Sequence, residues 1–189
     1  MRHRHGGAEH DFGAVIGAAR ARQPWALEHL YSTLAPAIAG FFRLQRAAEP
    51  EDLTSEVFVG VLRNLPTFRG DEAHFRSWVF TIAYRRLADE RRGVARHPHP
   101  RPLDEAPEPV DAADVEADVA LLLATHRVRE LCATLPPAQR DVLLLRLVGR
   151  MTVDEVAAVM ERSRGAVKAL QRRGLATVTA VVDERGVPL

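Results

Sequence analysis

The chain has 189 residues, 47% of them hydrophobic and 27% charged, with a formal net charge of +1. That is enough apolar material for one large or two small packed cores, and no apolar run approaches the roughly 18 to 20 residues of a membrane span. The opening MRHRHGG lacks the apolar stretch of a secretory leader, and a single cysteine, Cys132, cannot form an internal disulfide, so a reducing cytoplasm is the expected location.

The near-neutral total hides a polarity along the chain. Residues 93–119 hold two arginines against seven acids, whereas residues 120–189 hold eleven Lys/Arg against seven acids. A nucleic-acid partner, with an acidic segment between two binding units, accounts for that division.

Residues 1–10 read as a flexible tail. His3, His5 and His10 have no second ligand cluster beside them, so no metal is expected there. From Asp11 to Arg92 the text is helical throughout. Asp11 caps a helix carrying Phe12, Val15, Ile16 and Ala19, and a longer helix follows Gln23-Pro24 carrying Trp25, Leu27, Leu30, Tyr31, Leu34, Ile38, Phe41 and Phe42. Pro36 should kink or split it. Pro50 suits a first helical turn, and Glu51, Asp52 and Glu56 load that helix start with acid, which its dipole favours. Leu53, Val57 and Val61 should be buried there, leaving Asp52 and Glu56 outward, and Pro66 should end the helix. The loop PTFRGDEAH then leads into a third long helix from His74, with Phe75, Trp78, Val79 and Ile82 on one face.

All eleven aromatics lie in this first half, none after Tyr84. Most must be core. Between Phe68 and Arg92, however, they alternate with Arg69, His74, Arg76, Arg85, Arg86, Arg91 and Arg92. Faces to stack on, with cations beside them, are what unpaired bases require.

Residues 93–117 form a Pro-rich acidic linker, expected to be extended and flexible. From 118 to 182 a second, four-helix domain is expected. Leu121, Ala124, Val128, Leu131 and Leu135 repeat at 3-4-3-4 spacing, Pro136-Pro137 breaks and restarts the helix, and Gly149 stops it. His126 and Cys132, six apart, do not share a helical face and make no zinc pair. Thr152 and Glu155 form a capping box for a short helix with Val153, Val156, Ala157 and Met160 inward. A corner at Glu161-Arg162 precedes a helix capped by Ser163, with Val167, Leu170, Gly174 and Val178 buried. Its opposite face carries Gly165, Lys168, Ala169, Arg172 and Arg173. This is a helix-turn-helix with a small, basic outer face suited to a major groove. Residues 183–189 are a short tail. The fold class is therefore all-α, two small helical domains on a flexible acidic linker.

Three stretches in this order, EDLTSEVFVGVLRNL, FRGDEAHFRSWVFTIAYRRLADERR and LPPAQRDVLLLRLVGRMTVDEVAAVMERSRGAVKALQRRGLATV, resemble the extracytoplasmic-function sigma factors of bacterial RNA polymerase, with sigma regions 2 and 4. The resemblance implies a factor that directs core polymerase to promoters, with region 2 over residues 11–92 and region 4 over 118–182. It implies core-polymerase contacts on the β′ clamp through Asp52 and Glu56, and on the β flap. Contacts to the −10 element would fall on Phe68, Arg69, Gly70, Asp71, His74, Arg76, Trp78, Tyr84, Arg85, Arg86 and Arg92. Contacts to the −35 element would fall on Ser163, Arg164, Gly165, Lys168, Arg172 and Arg173. It further implies an anti-sigma partner, no cofactor and no catalysis. Many relatives carry Arg-Asn where this chain has Tyr84-Arg85. The residues agree on the absence of catalysis, since no phosphate loop, zincin motif or nucleophile elbow is present. A stand-alone duplex-binding regulator would leave the acidic 51–56 helix and the aromatic-basic stretch without a reason.

Overall fold

The computed structural model describes residues 11–96 and 126–184. Both tails, the linker beyond Arg96, Leu121 and Ala124 lie outside the described residues. Every regular element among the described residues is helical, and they form the two expected helical units.

The first unit comprises α1 (Phe12–Arg20), α2 (Pro24–Leu44), α3 (Pro50–Asn64), a single 3-10 turn (Leu65–Thr67) and α4 (Glu72–Arg96). Asp11 caps α1, its carboxylate accepting from the Ala14 N–H at 3.3 Å, which satisfies one of the orphan donors at a helix start. Val15, Ile16 and Ala19 are buried. The α2 helix is not split at Pro36: it runs unbroken from Pro24 to Leu44. The proline forfeits one backbone bond, but buried Leu34, Ala35 and Ile38 on either side hold the helix in register by packing. Phe41, Phe42, Phe75 and Phe80 form the unit's centre, with Phe41 edge-on to Phe80 at 5.7 Å. Edge-to-face rings add a little beyond their large buried area.

In α3, Val57 and Val61 are buried and Leu53 half-buried, while Asp52 and Glu56 face solvent. The helix ends at Asn64, where Pro66 falls in the 3-10 turn. The α4 helix begins two residues earlier than the sequence reading places it, because Asp71 supplies a cap: its carboxylate accepts from the His74 N–H at 2.9 Å. It also runs past the expected linker boundary, to Arg96.

The second unit comprises α5 (helical over 126–134), α6 (Pro137–Leu147), α7 (Val153–Val159) and α8 (Arg164–Glu184). Val128 is 45% exposed, so it does not belong to the buried stripe expected of α5; Leu135 of that stripe is buried and Leu131 half-buried, and Cys132 takes a buried place beside them. The capping box at Thr152 is present in both directions, Glu155 N–H to Thr152 Oγ1 and Thr152 N–H to Glu155 Oε2. The corner between α7 and α8 turns on Glu161, at φ 53°, and Ser163 Oγ caps α8 by accepting from Ala166 N–H. Val167, Leu170 and Gly174 are buried on α8, and Val178 is half-buried.

Gly174 is needed for a close approach. A methyl group there would lie 2.9 Å from Leu143 Cδ1 on α6, below any normal carbon contact. Gly174→Val should therefore destabilise the fold by about 1–3 kcal/mol, the usual cost of overpacking. A thermal melt of the purified chain measures it.

Candidate nucleic-acid interface

The residues expected to meet nucleic acid lie on two surfaces, one on α8 and one on and around α4. On α8 the outward residues Ser163, Arg164, Gly165, Lys168, Arg172 and Arg173 are all exposed. They do not share one state. Arg164 Nε is paired with Asp154 Oδ1 of α7 at 2.7 Å, and Arg173 Nε donates to the Ala169 carbonyl at 3.3 Å. Arg164 thus braces the corner of the helix-turn-helix. Lys168 and Arg172 have no hydrogen-bond or ion-pair partner among the described residues, and they are the cations most open to a phosphate.

The loop before α4 is shaped by Gly70. Its φ of 144° is a conformation that L side chains rarely adopt, and a Cβ there would lie 2.7 Å from His74 Cβ. The turn brings Asp71 onto His74, whose Nδ1 lies 2.7 Å from Asp71 Oδ1. The His74 backbone N–H, and then its side chain, hold the Asp71 carboxyl below the usual carboxylate range. Arg69 folds back over the same loop and donates to the Pro66 and Phe68 carbonyls. From the other side Arg20 of α1 donates to the Leu65 and Phe68 carbonyls.

Phe68 is not an open stacking face. Its ring is only 7% exposed, packed against Phe75 at 5.2 Å and tilted by only 30° to Trp78 at 5.1 Å. The apolar ring escapes water by turning under the loop, and Trp78, half-buried, is left at the surface in its place. Arg76 also departs from the expected face. Its guanidinium lies 5.4 Å from the Phe80 ring centre and donates to the Val148 carbonyl of the second unit.

The remaining residues distribute along α4. His74, Trp78 and Arg85, joined by Ser77 and Thr81, line one side of a cleft of about 620 Å³, with Phe68 and Arg69 at its end and Glu155, Ala158 and Val159 of α7 opposite. Tyr84 points elsewhere, its hydroxyl 3.4 Å from Asp141 Oδ2 on α6. Burial, reinforced by that carboxylate, pushes the Tyr84 phenol up to about 12. Arg86 is near Glu56 of α3 at 3.7 Å, and Arg92 pairs with Asp89 along its own helix. Asp52 and Glu56 stand on the exposed side of α3. Of the residues expected at the −10 element, Phe68, Arg69, His74, Trp78 and Arg85 therefore meet in one cleft.

Ser77 and Thr81 were not among the expected residues. The stripe His74, Ser77, Trp78, Thr81, Arg85 follows i, i+3, i+4, i+7, i+11, the signature of one helical face, so the spacing contained the signal. Asp141 and Glu155, which close over α4 from the second unit, left no such local trace.

Among the described residues no group of three potential metal ligands comes together, and no helix is long and apolar enough to cross a membrane.

The geometry finds its counterpart in known proteins. The family model for sigma-70 region 2 matches residues 30–97, and that for sigma-70 region 4 matches residues 125–178. The ECF RNA polymerase sigma factor ShbA of Streptomyces griseus subsp. griseus is 36% identical over 137 residues, covering 71% of this chain and 72% of that protein. SigD of Mycobacterium tuberculosis, also an ECF RNA polymerase sigma factor, is 29% identical over 174 residues, covering 86% and 79%. The fold is shared with CnrH, solved in complex with the cytosolic domain of CnrY, at a TM-score of 0.62 and 23% identity over 92% of this chain and 97% of that one. With both helical units matched in sequence as well as in fold, the chain belongs to the extracytoplasmic-function sigma factors, the sigma-70 proteins that direct RNA polymerase to promoters.

Proposed function

We propose that the two surfaces divide promoter recognition between them, α8 holding the −35 element as duplex and the α4 cleft taking bases of the opened −10 strand. The observation that carries this is the contrast in their chemistry. The α8 surface is small-residued and cationic, with Lys168 and Arg172 unpaired among the described residues, and it lacks aromatic rings. The α4 surface joins the edge of Trp78 to His74, Ser77, Thr81 and Arg85. Duplex readers work through backbone cations and groove-edge contacts, whereas unpaired bases are held by stacking and hydrogen bonds to their exposed edges. With Phe68 buried, the reading gives Trp78 the stacking role and Phe68 the task of supporting it.

In the same reading Asp52 and Glu56 on α3 dock against the β′ clamp of core polymerase, region 4 meets the β flap, and residues 97–117, beyond the end of α4, tether the two readers. An anti-sigma protein that grips both units is the proposed inhibitor. CnrH, of the same fold, was captured with the cytosolic domain of CnrY. The protein itself works without catalysis or cofactor, in the cytoplasm.

Three substitutions separate these roles. Trp78→Ala in the holoenzyme should weaken binding to a fork promoter with an unpaired −10 strand by about ten- to a hundredfold, from a stacking contribution of about 1–3 kcal/mol per base. Its effect on fully paired −35 duplex should be small, and an equal loss on both substrates would contradict the assignment. Arg172→Ala should weaken −35 duplex binding and reduce the slope of log K against log salt by about one, as expected when a single phosphate is no longer neutralised. An unchanged slope removes Arg172 from the backbone contacts. Asp52→Arg should impair retention of core polymerase in a pull-down, and normal retention would refute the docking assignment.

A further inference from the structure

The loop that the proposed function places at the −10 strand is held largely by side chains. Between Asn64, the last residue of α3, and Glu72, the first of α4, the helical ladder is interrupted. The carbonyls along it turn to other donors, as buried or half-buried backbone must. Thr67 Oγ1 donates to the Asn64 carbonyl at 2.8 Å, and Arg69 Nη1 to the Pro66 and Phe68 carbonyls at 2.9 and 2.7 Å. From outside the loop, Arg20 donates through Nε to the Leu65 carbonyl at 3.3 Å and through Nη2 to the Phe68 carbonyl. Leu65 and Phe68 bound the 3-10 turn, which the Phe68 N–H closes onto the Leu65 carbonyl at 3.2 Å. One guanidinium thus ties together both ends of the turn.

Arg20 is the last residue of α1. That helix precedes residues 30–97, the span matched to region 2, and none of its residues belongs to the set expected at the −10 element. Its other end reaches the far side of the loop. Phe12, the first residue of α1, lies 5.7 Å ring to ring from Phe75, and Phe75 packs on Phe68 and Trp78 at 5.2 and 5.6 Å. Buried Val15, Ile16 and Ala19 seat the helix between these two contacts.

We infer that α1 is a strut for the −10 reader, with Arg20 as its positioning residue. By gripping the Leu65 and Phe68 carbonyls, Arg20 fixes the loop so that Phe68 lies against Trp78 and the indole is presented to a base. The inference rests on the proposed use of the α4 cleft for the −10 strand, and adds to it a residue that acts without touching DNA.

The chemistry selects arginine. Nε and Nη2 belong to one planar fork and reach two acceptors at a fixed spacing. A lysine ammonium carries the same charge as a compact point and lacks that spacing. The last turn of a helix also favours a cation. Holding the loop before the strand arrives removes an ordering cost that binding would otherwise bear. Without the grip the loop samples other conformations, and apparent affinity falls with the fraction that remains competent.

The test compares holoenzymes carrying Arg20→Gln or Arg20→Lys on a fork promoter with an unpaired −10 strand. Arg20→Gln should weaken fork binding by about tenfold, as for a competent fraction of about one in ten. Binding of −35 duplex and retention of core polymerase should stay unchanged. Arg20→Lys should lose nearly as much, because charge alone does not brace the turn, and neither variant should alter the slope of log K against log salt. Coupling is the decisive readout. Since Arg20 acts through Trp78, adding Arg20→Gln to Trp78→Ala should cost far less than it does alone, a non-additivity that a general loss of stability would not produce. A lysine variant that binds as tightly as the unaltered chain, a salt slope reduced by about one, or full additivity with Trp78→Ala overturns the inference. Should Arg20→Gln lack a cooperative melt, Arg20→Lys carries the same comparisons. Failure of the −10 assignment has a separate signature: Trp78→Ala by itself would then leave fork-promoter binding intact, whatever the Arg20 variants do.

Discussion

The structure depends on α4 being wanted by three environments at once. One side, with Phe75, Val79, Ala83 and Leu87, is buried in the first unit's core. A second, with Arg76, Phe80, Tyr84 and Arg91, meets the second unit. The third, His74, Ser77, Trp78, Thr81 and Arg85, is the polar wall of the cleft. A helix of 25 residues has the surface to do this, but its apolar material is spread around the axis and not gathered into one stripe. Much of the function follows from that distribution. A helix that must pack on two sides has only a narrow face left, and that face carries the polar residues and Trp78 that line the cleft.

Phe80 shows how the two units share one packing contact. Its ring is covered by Phe41 from within, by the Arg76 guanidinium, and by the Gly149 backbone from the second unit. If the units separate, part of a large aromatic surface returns to water and Arg76 gives up its carbonyl acceptor. Such terms oppose separation of the two units. Because the ion pair at Asp141 sits within the same contact, the contact between the units combines apolar burial with charge complementarity. The first gives it strength and the second gives it a register.

Local signals in the chain are strong wherever the physics is local. The Asp11 cap, the capping box at Thr152 and Glu155, the corner at Glu161, and the basic outer face of α8 follow from residues within a few positions of one another, and each is present in the structure. Sequence is a weaker guide where a residue's fate depends on a distant partner. Phe68 falls by resemblance among the −10 residues, within a stretch where aromatics alternate with cations, but Phe75 and Trp78 bury its ring. Arg76 and Tyr84 read as part of the −10 set, and they turn instead to Val148 and Asp141, more than fifty residues away. Arg164 belongs by position with the residues expected at the −35 element, yet an exposed pair with Asp154 engages it. Val128 keeps the period of a buried stripe but is left exposed. Periodicity states which face a residue is on, and only tertiary packing states what that face meets.

The proposed function divides promoter reading in space: one reader on duplex, another on opened strand, displaced along the same promoter. Nuclease footprinting combined with permanganate reactivity, on a holoenzyme reconstituted with this chain and a promoter of mapped start site, tests that division most directly. Duplex protection around the −35 element is predicted, together with reactive, unpaired thymines more than one helical turn downstream. Protection without reactive thymines, or both signals within the same turn, would contradict it.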